Sequence, residues 1–375
     1  MEIDHVHFYV EDAQRSRDWF VRTLSFQAVA SGANQHTHTE VVKSGPIYLI
    51  LSSPLSPASP VDQFLRSHPA GVADLAFQVP HLEIVVAKAL AQGAKLLQPI
   101  QQMQQAQGCC KWAKIAAWGD MSHTLIERSG VTPVLPSAEL AWNREAVPSH
   151  IATPISTRSD TPGIPLIGID HVVLNVATGD LEPAVTWYQN VLGLQPQQSF
   201  AIQTNRSGLR SQVMVHPSGK VQLPINEPGS ANSQIQEFLD VNRGPGVQHI
   251  ALRTTNIVQT IAQLRNLGVS FLEVPSTYYL QLQQRYGRDL PDADWQAIAD
   301  QQILVDWQDD DAPAMLLQTF TQPIFGQPTF FFEVIERQVR CLNGQSKQAQ
   351  GFGEGNFRAL FEAIEREQLK RGSLR

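Results

Sequence analysis

Hydrophobic and polar positions follow the same order twice along the chain. From Ile3, "IDHVHFYVEDAQRSRDWFVRTLSFQ" predicts an alternating strand, a polar turn and an amphipathic helix, and "IDHVVLNVATGDLEPAVTWYQNVLGLQ" from Ile169 predicts the same three elements. A second echo pairs "GVADLAFQV" at Gly71 with "GVQHIALRT" at Gly246, and an amphipathic helix follows each of these strands. A third echo pairs "HTLIERSG" with "FFFEVIERQ". These echoes predict four strand–helix–strands units, two in each half.

The two halves are predicted to be separate α+β domains joined by a linker. Proline-rich, polar sequence over residues 131–166 matches no regular element, so the domains are expected at 1–130 and 167–375. A sheet curved into an open half-barrel by paired units leaves a cavity that alternate strand residues line. We therefore expect one pocket in each half. "GFGEGNF" at Gly351 is interpreted as a hinge that leads into a terminal amphipathic helix.

Composition and charge exclude several classes of protein. With 42% hydrophobic and 17% charged residues the chain is of globular type, and its formal net charge of −7 gives no reason to bind nucleic acid or an anionic membrane. It shows no signal-like N-terminal segment and no apolar run long enough to cross a bilayer. Three cysteines, two of them adjacent, form a poor disulfide framework. We expect a cytoplasmic protein without membrane or nucleic-acid partners.

One carboxylate lies in an apolar strand, where its negative charge would be costly to bury without a positively charged partner. Glu333 follows three phenylalanines in "TFFFEVIER", and its side chain shares a strand face with Phe331. The echoing strands each carry one further candidate ligand, His171 and His249, which meet Glu333 only if equivalent strands adjoin. Taken singly, each histidine is an ordinary core residue and Glu333 pairs with an arginine. Together, two imidazoles and one carboxylate indicate the ligand set of non-haem Fe(II) oxygenases.

The N-terminal half provides an internal comparison. Its corresponding positions are interpreted as His5, Asp74 and Glu127, with an aspartate in place of the second histidine. A carboxylate is a harder ligand than an imidazole, and Glu127 lacks the phenylalanines that precede Glu333. A site for a hard metal ion is the alternative at these positions; this half is expected instead to be a degenerate domain that holds no metal and keeps a structural role.

Seven segments in order resemble the 4-hydroxyphenylpyruvate dioxygenase family: "GIDHVV", "LPINEP", "SQIQEFL", "GVQHIAL", "LLQTFTQP", "PTFFFEVIER" and "GFGEGNFRALFEAIE". The resemblance covers nearly the whole chain. It implies two vicinal-oxygen-chelate-like domains, each an open half-barrel of paired βαβββ modules, with a C-terminal lid helix. It further implies a homo-oligomer (a dimer or a tetramer) and Fe(II) held by His171, His249 and Glu333.

The resemblance also implies a reaction and the residues that serve it. The family converts 4-hydroxyphenylpyruvate and O2 into homogentisate and CO2, a step of tyrosine catabolism. Catalytic side chains are implied at Gln248, Gln318 and Phe357. Substrate contacts are implied at Ser211, Asn226, Gln234, Phe320, Phe331 and Phe352. Neutral amides and a hydroxyl can orient a phenol without introducing a competing charge.

Three other functions stay open on sequence alone. 4-Hydroxymandelate synthase shares substrate, metal and fold but oxidises the side chain; its residue at the position of Phe357 tends to be a smaller aliphatic one, so Phe357 favours attack on the ring. An extradiol catechol dioxygenase relies on additional histidines, and the C-terminal domain has only His216 besides the candidate ligands. A protein of this fold that binds an aromatic ligand without catalysis would hold no iron.

Overall fold

Two curved mixed sheets, one in each half, form the framework of the protein. The computed structural model describes residues 1–132, 134–135, 141–143, 164–286, 292–307, 314–342 and 345–374. Among these residues, no helix is long and apolar enough to span a membrane. The predicted α+β architecture of paired strand–helix–strands units is confirmed.

The N-terminal half forms a nine-stranded sheet of order β6-β7-β8-β5-β1-β4-β3-β2-β9 in the described residues. Its elements are β1 (Glu2–Tyr9), α1 (Ala13–Leu24), β2 (Gln27–Ala33), β3 (Thr37–Ser44), β4 (Ile47–Pro54), α2 (Pro60–Ser67), β5 (Gly71–Gln78), α3 (Leu82–Ala91), β6 (Leu96–Gln105), β7 (Gly108–Ala116), β8 (Ser122–Gly130) and β9 (Ala141–Asn143). The first strands of the two units, β1 and β5, pair antiparallel at the centre. The short strand β9 lies in the predicted linker and pairs with β2.

The C-terminal half repeats this plan in an eight-stranded sheet of order β11-β12-β13-β10-β14-β17-β16-β15, again counted over described residues. Its elements are β10 (Leu166–Asn175), α4 (Leu181–Leu192), β11 (Gln195–Gln203), β12 (Gly208–Val215), β13 (Gln222–Pro228), α5 (Gln234–Asn242), β14 (Gly246–Thr254), α6 (Ile257–Asn266), α7 (Ser276–Tyr286), α8 (Asp292–Asp300), β15 (Leu304–Trp307), β16 (Met315–Phe320), β17 (Phe331–Arg337), β18 (Val339–Leu342), β19 (Gln345–Gln348) and α9 (Glu354–Arg371). The adjacent strands β10, β14 and β17 carry the three candidate metal ligands.

A single hydrophobic core extends through both halves. Phe8 of β1 meets Phe330 edge-to-face at 5.0 Å between ring centroids, and Phe20 of α1 meets Phe332 of β17 at 6.0 Å. Burial of such rings stabilises the fold, and each edge-to-face pair adds about 1 kcal/mol beyond the area it buries. Phe330 and Phe332 therefore join the domains, and the opposite face of β17 is left for Phe331 and Glu333.

Matching β-bulges shape the centre of both sheets. At two matching positions in each half, a residue of the central strand pair lacks a partner across the ladder: Asp4 and Asp170 at the first, Ala73 and Gln248 at the second. A bulge interrupts the strict alternation of side chains, so a bulged residue can be aimed toward the same face as its neighbour. Asp170 thereby lies beside His171, and Gln248 lies beside His249.

The C-terminal helix starts at a position that only glycine fits well. Gly353, the residue before α9, has φ +68°, and a Cβ there would lie 2.5 Å from Oε1 of Gln318. A side chain would be strained by the backbone conformation and would collide with the glutamine. The glycine therefore lets α9 dock directly on the strand that carries Gln318.

Candidate metal centre

The three candidate ligands meet on the concave face of the C-terminal sheet. One potential ligand atom from each of His171, His249 and Glu333 lies within 4.8 Å of the others, and all three side chains are buried. Nε2 of His171 is 3.2 Å from Oε2 of Glu333, and Nε2 of His249 is 3.4 Å from the same oxygen. The adjacency of β10, β14 and β17 thus brings together residues that are distant in sequence.

The donor set fits a divalent cation. Nδ1 of His171 lies 3.0 Å from Oδ1 of Asp170, and Nδ1 of His249 lies 3.3 Å from Oε1 of Gln248. These acceptors favour a proton on each Nδ1 and leave each Nε2 lone pair for a metal. Nε2 of His249 is buried without a hydrogen-bond partner, an arrangement that is costly without a ligand. A divalent cation bound by the two imidazoles and the carboxylate would supply the missing partner of this nitrogen.

In the metal-free site, neighbouring carboxylates favour a proton on His171, in the place where a cation would bind. Burial raises the pKa of Glu333, but the neighbouring His171 and His249 outweigh burial and lower this pKa to about 2. Burial lowers the pKa of His171, but Glu333 and Asp170 outweigh burial and raise it to about 9. Burial is the main reason that the pKa of His249 is lowered. The metal-free site therefore carries its compensating positive charge on His171, and a bound cation would displace that proton.

Gln318 of β16 holds the second oxygen of Glu333. Its Nε2 donates to Oε1 of Glu333 at 2.8 Å, and its Oε1 accepts from Nδ2 of Asn356 in α9 at 2.8 Å. Asn356 in turn accepts a hydrogen bond from the hydroxyl of Tyr278 at 3.3 Å. Both polar groups of Gln318 are thus engaged within the protein, and they link the C-terminal helix to a candidate metal ligand.

Aromatic rings surround the triad on the side of the cavity. Phe331 stacks on His249 with a centroid distance of 4.8 Å, and Phe320 meets the same imidazole edge-to-face at 6.2 Å. Phe352 lies edge-to-face against His171 at 5.2 Å. These apolar walls exclude water from the ligand atoms and so strengthen electrostatic interactions in the site.

The fourth aromatic candidate, Phe357, lies away from these rings. It contacts Phe200 at 5.1 Å between centroids and belongs to an apolar cluster with Leu209 of β12 and Ile235 of α5. In this position the ring covers the part of the concave sheet formed by β11 and β12. Three of the four predicted aromatic residues therefore adjoin the triad, and Phe357 packs from α9 against β11 and β12.

Three polar residues predicted to contact the substrate have buried atoms without hydrogen-bond partners. Ser211 of β12 lies opposite Asn226 of β13, and the Ser211 hydroxyl and the Asn226 Oδ1 are buried without hydrogen-bond partners. Oε1 of Gln234 is likewise buried and unpaired, and this residue shares a cleft under α9 with Gln248 and Phe331. Buried polar atoms without partners are unfavourable unless a ligand or water binds them. The arrangement is suited to a polar, aromatic small molecule.

Comparison with known proteins identifies the family. Models described as the glyoxalase, bleomycin resistance protein and dioxygenase superfamily match residues 4–110 and 168–294. A curated 4-hydroxyphenylpyruvate dioxygenase of Dictyostelium discoideum is 37% identical, with 99% of each chain covered. That of Coccidioides posadasii is 36% identical, with 99% of this chain and 94% of the relative covered. The chain belongs to the 4-hydroxyphenylpyruvate dioxygenase family.

A solved structure shows the same fold over the whole length. A triple mutant of 4-hydroxymandelate synthase from Streptomyces coelicolor superimposes with a TM-score of 0.81 at 26% identity and covers 98% of each chain. The chain is therefore an enzyme of 4-hydroxyphenylpyruvate dioxygenase type, with two vicinal-oxygen-chelate domains and a His-His-Glu triad able to hold a metal.

The N-terminal domain of this dioxygenase-family chain corrects one prediction. Asp74 of β5 pairs with Ser122 of β8 as His249 pairs with Phe331, so the residue equivalent to Glu333 is Thr124. The predicted equivalence of Glu127 and Glu333 is wrong by three positions.

The shared letters "IER" instead align Glu127 with Glu336, and the two glutamates have the same role. Oε2 of Glu127 accepts from the backbone N–H of Leu82 at 2.6 Å, and Oε2 of Glu336 accepts from that of Ile257 at 2.7 Å. Each glutamate thereby caps the helix that follows β5 or β14. A carboxylate at a helix N-terminus satisfies a free N–H and interacts favourably with the helix dipole.

A lysine compensates the acid in the N-terminal domain. Lys114 of β7 lies opposite Thr124, as Phe320 lies opposite Glu333 in the C-terminal domain. Its Nζ is 3.5 Å from Oδ2 of Asp74, whose pKa is lowered because Lys114 and other neighbours outweigh burial. The ammonium supplies a positive charge beside the buried aspartate in a domain where the described residues form no metal-type cluster.

Four residues of the C-terminal site were missed by sequence reasoning. Asn175 lies four residues after His171 on β10, and its Oδ1 accepts from Asn226 at 3.4 Å while its Nδ2 is unpaired. The other three are Asp170, Arg337 and Asn356, which hold the ligands or the C-terminal helix. "IDH" and "IER" occur in both halves, so the repeat contains a signal for Asp170 and Arg337.

The buried His7 of β1 makes the stability of the protein depend on pH. Burial and the nearby Lys114 lower its pKa from 6.5 to about 3, so the folded protein leaves His7 neutral over the range in which the unfolded chain takes up a proton. The free energy of unfolding therefore falls as pH falls below 6.5, by about 1.4 kcal/mol per pH unit once the unfolded histidine is fully protonated. His7→Gln, which keeps a polar partner for Ser52, is expected to remove this contribution.

Urea unfolding of the metal-free protein at pH 7.5, 6.0, 5.0 and 4.5 measures the effect. The free energy of unfolding of His7→Gln should depend less steeply on pH than that of the wild type. Equal slopes for His7→Gln and wild type would show that His7 takes up a proton as readily in the folded protein as in the unfolded chain.

Proposed function

We propose that this chain is an Fe(II)-dependent dioxygenase that converts 4-hydroxyphenylpyruvate and O2 into homogentisate and CO2. The observation that carries the proposal is the buried convergence of His171, His249 and Glu333, with the His249 Nε2 unpaired and facing the other two. This ligand set is the one that non-haem Fe(II) oxygenases use. Full-length similarity to curated members of the family supports the same reaction.

The chain's own side chains have three tasks in this proposal. His171, His249 and Glu333 would hold Fe(II), which when bound chelates the 2-oxo acid group and activates O2 for decarboxylation and ring hydroxylation. Phe320, Phe331 and Phe352 exclude water from the reacting groups. Gln318 fixes the orientation of the Glu333 carboxylate from behind.

The unpaired polar atoms are assigned to the substrate. Ser211, Asn226 and Gln234 present a hydroxyl and two amide oxygens without partners, and Gln248 lines the same cleft as Gln234. Neutral hydrogen-bonding groups can bind the phenol hydroxyl and fix the ring without a charge that competes for the metal. Phe357, which packs from α9 over β11 and β12, would limit where the substrate ring can lie.

Oxygen consumption with product identification tests the proposed reaction. Metal-free protein, loaded anaerobically with Fe(II), is mixed with 4-hydroxyphenylpyruvate in oxygenated buffer, and the products are separated by chromatography. We expect one homogentisate for each O2 consumed, and no turnover without Fe(II). A product that is 4-hydroxymandelate would identify the synthase reaction, and uptake with catechol but not the 2-oxo acid would identify extradiol cleavage.

4-Hydroxymandelate synthase is the second candidate because a solved synthase mutant shares the fold at a TM-score of 0.81. It uses the same substrate and the same ligand types, so the triad does not separate the two reactions. The bulky Phe357 favours the ring as the site of oxidation. Family resemblance further predicts a cytoplasmic dimer or tetramer, which light scattering would resolve.

A further inference from the structure

Arg337, the last residue of β17, binds two parts of the C-terminal domain at once. Its Nε and Nη2 donate to the two carboxylate oxygens of Asp170 at 2.8 and 2.7 Å. Its Nη1 donates to the backbone carbonyls of Gly351 at 2.8 Å and Ala349 at 3.3 Å, and its guanidinium lies 5.8 Å from the ring centroid of Phe352. The arginine thus connects the bulged strand β10 with the segment that precedes α9.

Asp170 contacts both Arg337 and the candidate metal ligand His171. Its Oδ1 accepts from Arg337 and lies 3.0 Å from Nδ1 of His171, and the carboxylate is buried. A carboxylate that binds the distal nitrogen of a ligating histidine fixes both the tautomer and the orientation of the ring. The position of His171 therefore depends on Asp170, and the position of Asp170 depends on Arg337.

We propose that Arg337 is a positioning residue that couples docking of segment 349–351 to the metal-binding geometry of His171. The guanidinium is planar and rigid, so its orientation depends both on the bidentate pair with Asp170 and on the two carbonyls. Departure of the segment removes two acceptors from Nη1, so the orientation of the guanidinium, and through it that of Asp170, is fixed by fewer hydrogen bonds. Metal bound by His171 stabilises the docked segment, and by linkage the docked segment raises the affinity for metal to the same degree.

The N-terminal domain holds a matched copy of the ion pair without the coupling. Arg128 donates from Nε and Nη2 to Asp4 at 2.7 and 2.8 Å, and Asp4 lies 2.6 Å from Nδ1 of His5. Nη1 of Arg128 donates to Thr132 at 2.9 Å and Nη2 also donates to the Val134 carbonyl, so this arginine holds the segment after β8 and not the one that leads into α9. Loss of a buried arginine–aspartate pair can therefore be measured separately from loss of the coupling.

Paired lysine variants test the proposal, which rests on the proposed role of His171 as a metal ligand. Lysine keeps the positive charge but cannot bind Asp170 bidentately while reaching both carbonyls. Metal-free wild type, Arg337→Lys and Arg128→Lys are titrated anaerobically with Co(II), whose visible spectrum reports coordination. Hydrogen exchange of peptides spanning 349–353 is then measured with and without the metal.

The expected result has two parts. Arg337→Lys should bind Co(II) roughly 10- to 100-fold more weakly than wild type, with a changed spectrum, whereas Arg128→Lys should match the wild type. Metal should slow exchange over 349–353 in wild type and in Arg128→Lys, and this protection should be lost in Arg337→Lys. If Arg337 had only a structural role, both variants would fold less stably, and Arg337→Lys would not differ from Arg128→Lys in metal affinity or in protection of residues 349–353.

Two different failures are distinguishable. A wild type that binds no stoichiometric metal would overturn the metal site and the coupling together. A wild type that binds metal, with Arg337→Lys retaining both the affinity and the protection of the segment, would overturn only the coupling. Should Arg337→Lys not fold, Asp170→Asn with Asp4→Asn as its control interrupts the same connection at the carboxylate, and the same two measurements decide.

Discussion

Replacing His249 by alanine is expected to abolish stoichiometric iron binding and to reduce turnover of 4-hydroxyphenylpyruvate by roughly 10³-fold or more, equivalent to about 4 kcal/mol of transition-state stabilisation. The imidazole supplies the buried Nε2 that has no other partner, 3.4 Å from Glu333. Two remaining ligands, one of them protonated in the metal-free state, hold a cation poorly. Iron per chain after anaerobic loading and desalting, together with oxygen uptake, measures both losses.

A matched histidine controls for non-specific effects of the change. His216 lies in the turn between β12 and β13, where its Nδ1 contacts Ser218, away from the triad. His216→Ala should retain both iron and activity. Circular dichroism and urea unfolding should show that His249→Ala is folded, with a change of about 1 to 3 kcal/mol in the free energy of unfolding. Full activity in a folded His249→Ala would contradict the assignment of the ligand.

Replacing Phe357 by isoleucine is expected to move the main product from homogentisate toward 4-hydroxymandelate. The Phe357 ring packs with Leu209 and Ile235 over the concave sheet, and in the proposed function it limits how far the substrate ring can move toward β12. A branched aliphatic side chain leaves space there, so the substrate can turn and present its side chain to the oxidant. Chromatography of the products at complete oxygen consumption measures the partition between the two reactions.

Phe361 is the matched control because it lies one turn later on α9 in the same apolar cluster and is fully buried. Phe361→Ile removes a similar ring and costs stability, typically a few kcal/mol for a large buried ring. It should leave the ratio of products unchanged. An identical shift with both variants, or an unchanged ratio with Phe357→Ile, would show that Phe357 does not set the site of oxidation.

The fold and the triad were accessible from sequence because both depend on repetition. Equivalent strands of repeated units meet in the sheet, so His171, His249 and Glu333, one on each echoing strand, were predicted to converge, and their side chains are brought together. The alternation of side chains along a strand also predicted that Phe331 lies on the opposite face of β17 from Phe330 and Phe332, which belong to the main core. Similarity of sequence is a weaker guide to equivalent positions in the two halves than the pairing between strands.

The remaining features depend on register and docking, which the hydrophobic pattern does not specify. The echo of "HTLIERSG" with "FFFEVIERQ" suggested Glu127, whereas the pairing of β5 with β8 places Thr124 at the position equivalent to Glu333. The bulges that aim Asp170 and Gln248 leave no mark on hydrophobic alternation. The partners of Gln318 become visible only once α9 is docked, because Asn356 reaches it from that helix.

Anaerobic titration of the metal-free wild type with Fe(II), alongside Glu333→Gln, tests whether the triad is a metal site. We expect saturation at one Fe(II) per chain for the wild type, since the N-terminal domain carries Lys114 beside Asp74. We expect no stoichiometric binding for Glu333→Gln. A wild type that binds no iron, or a Glu333→Gln variant that still binds one equivalent, would contradict the assignment of the three ligands.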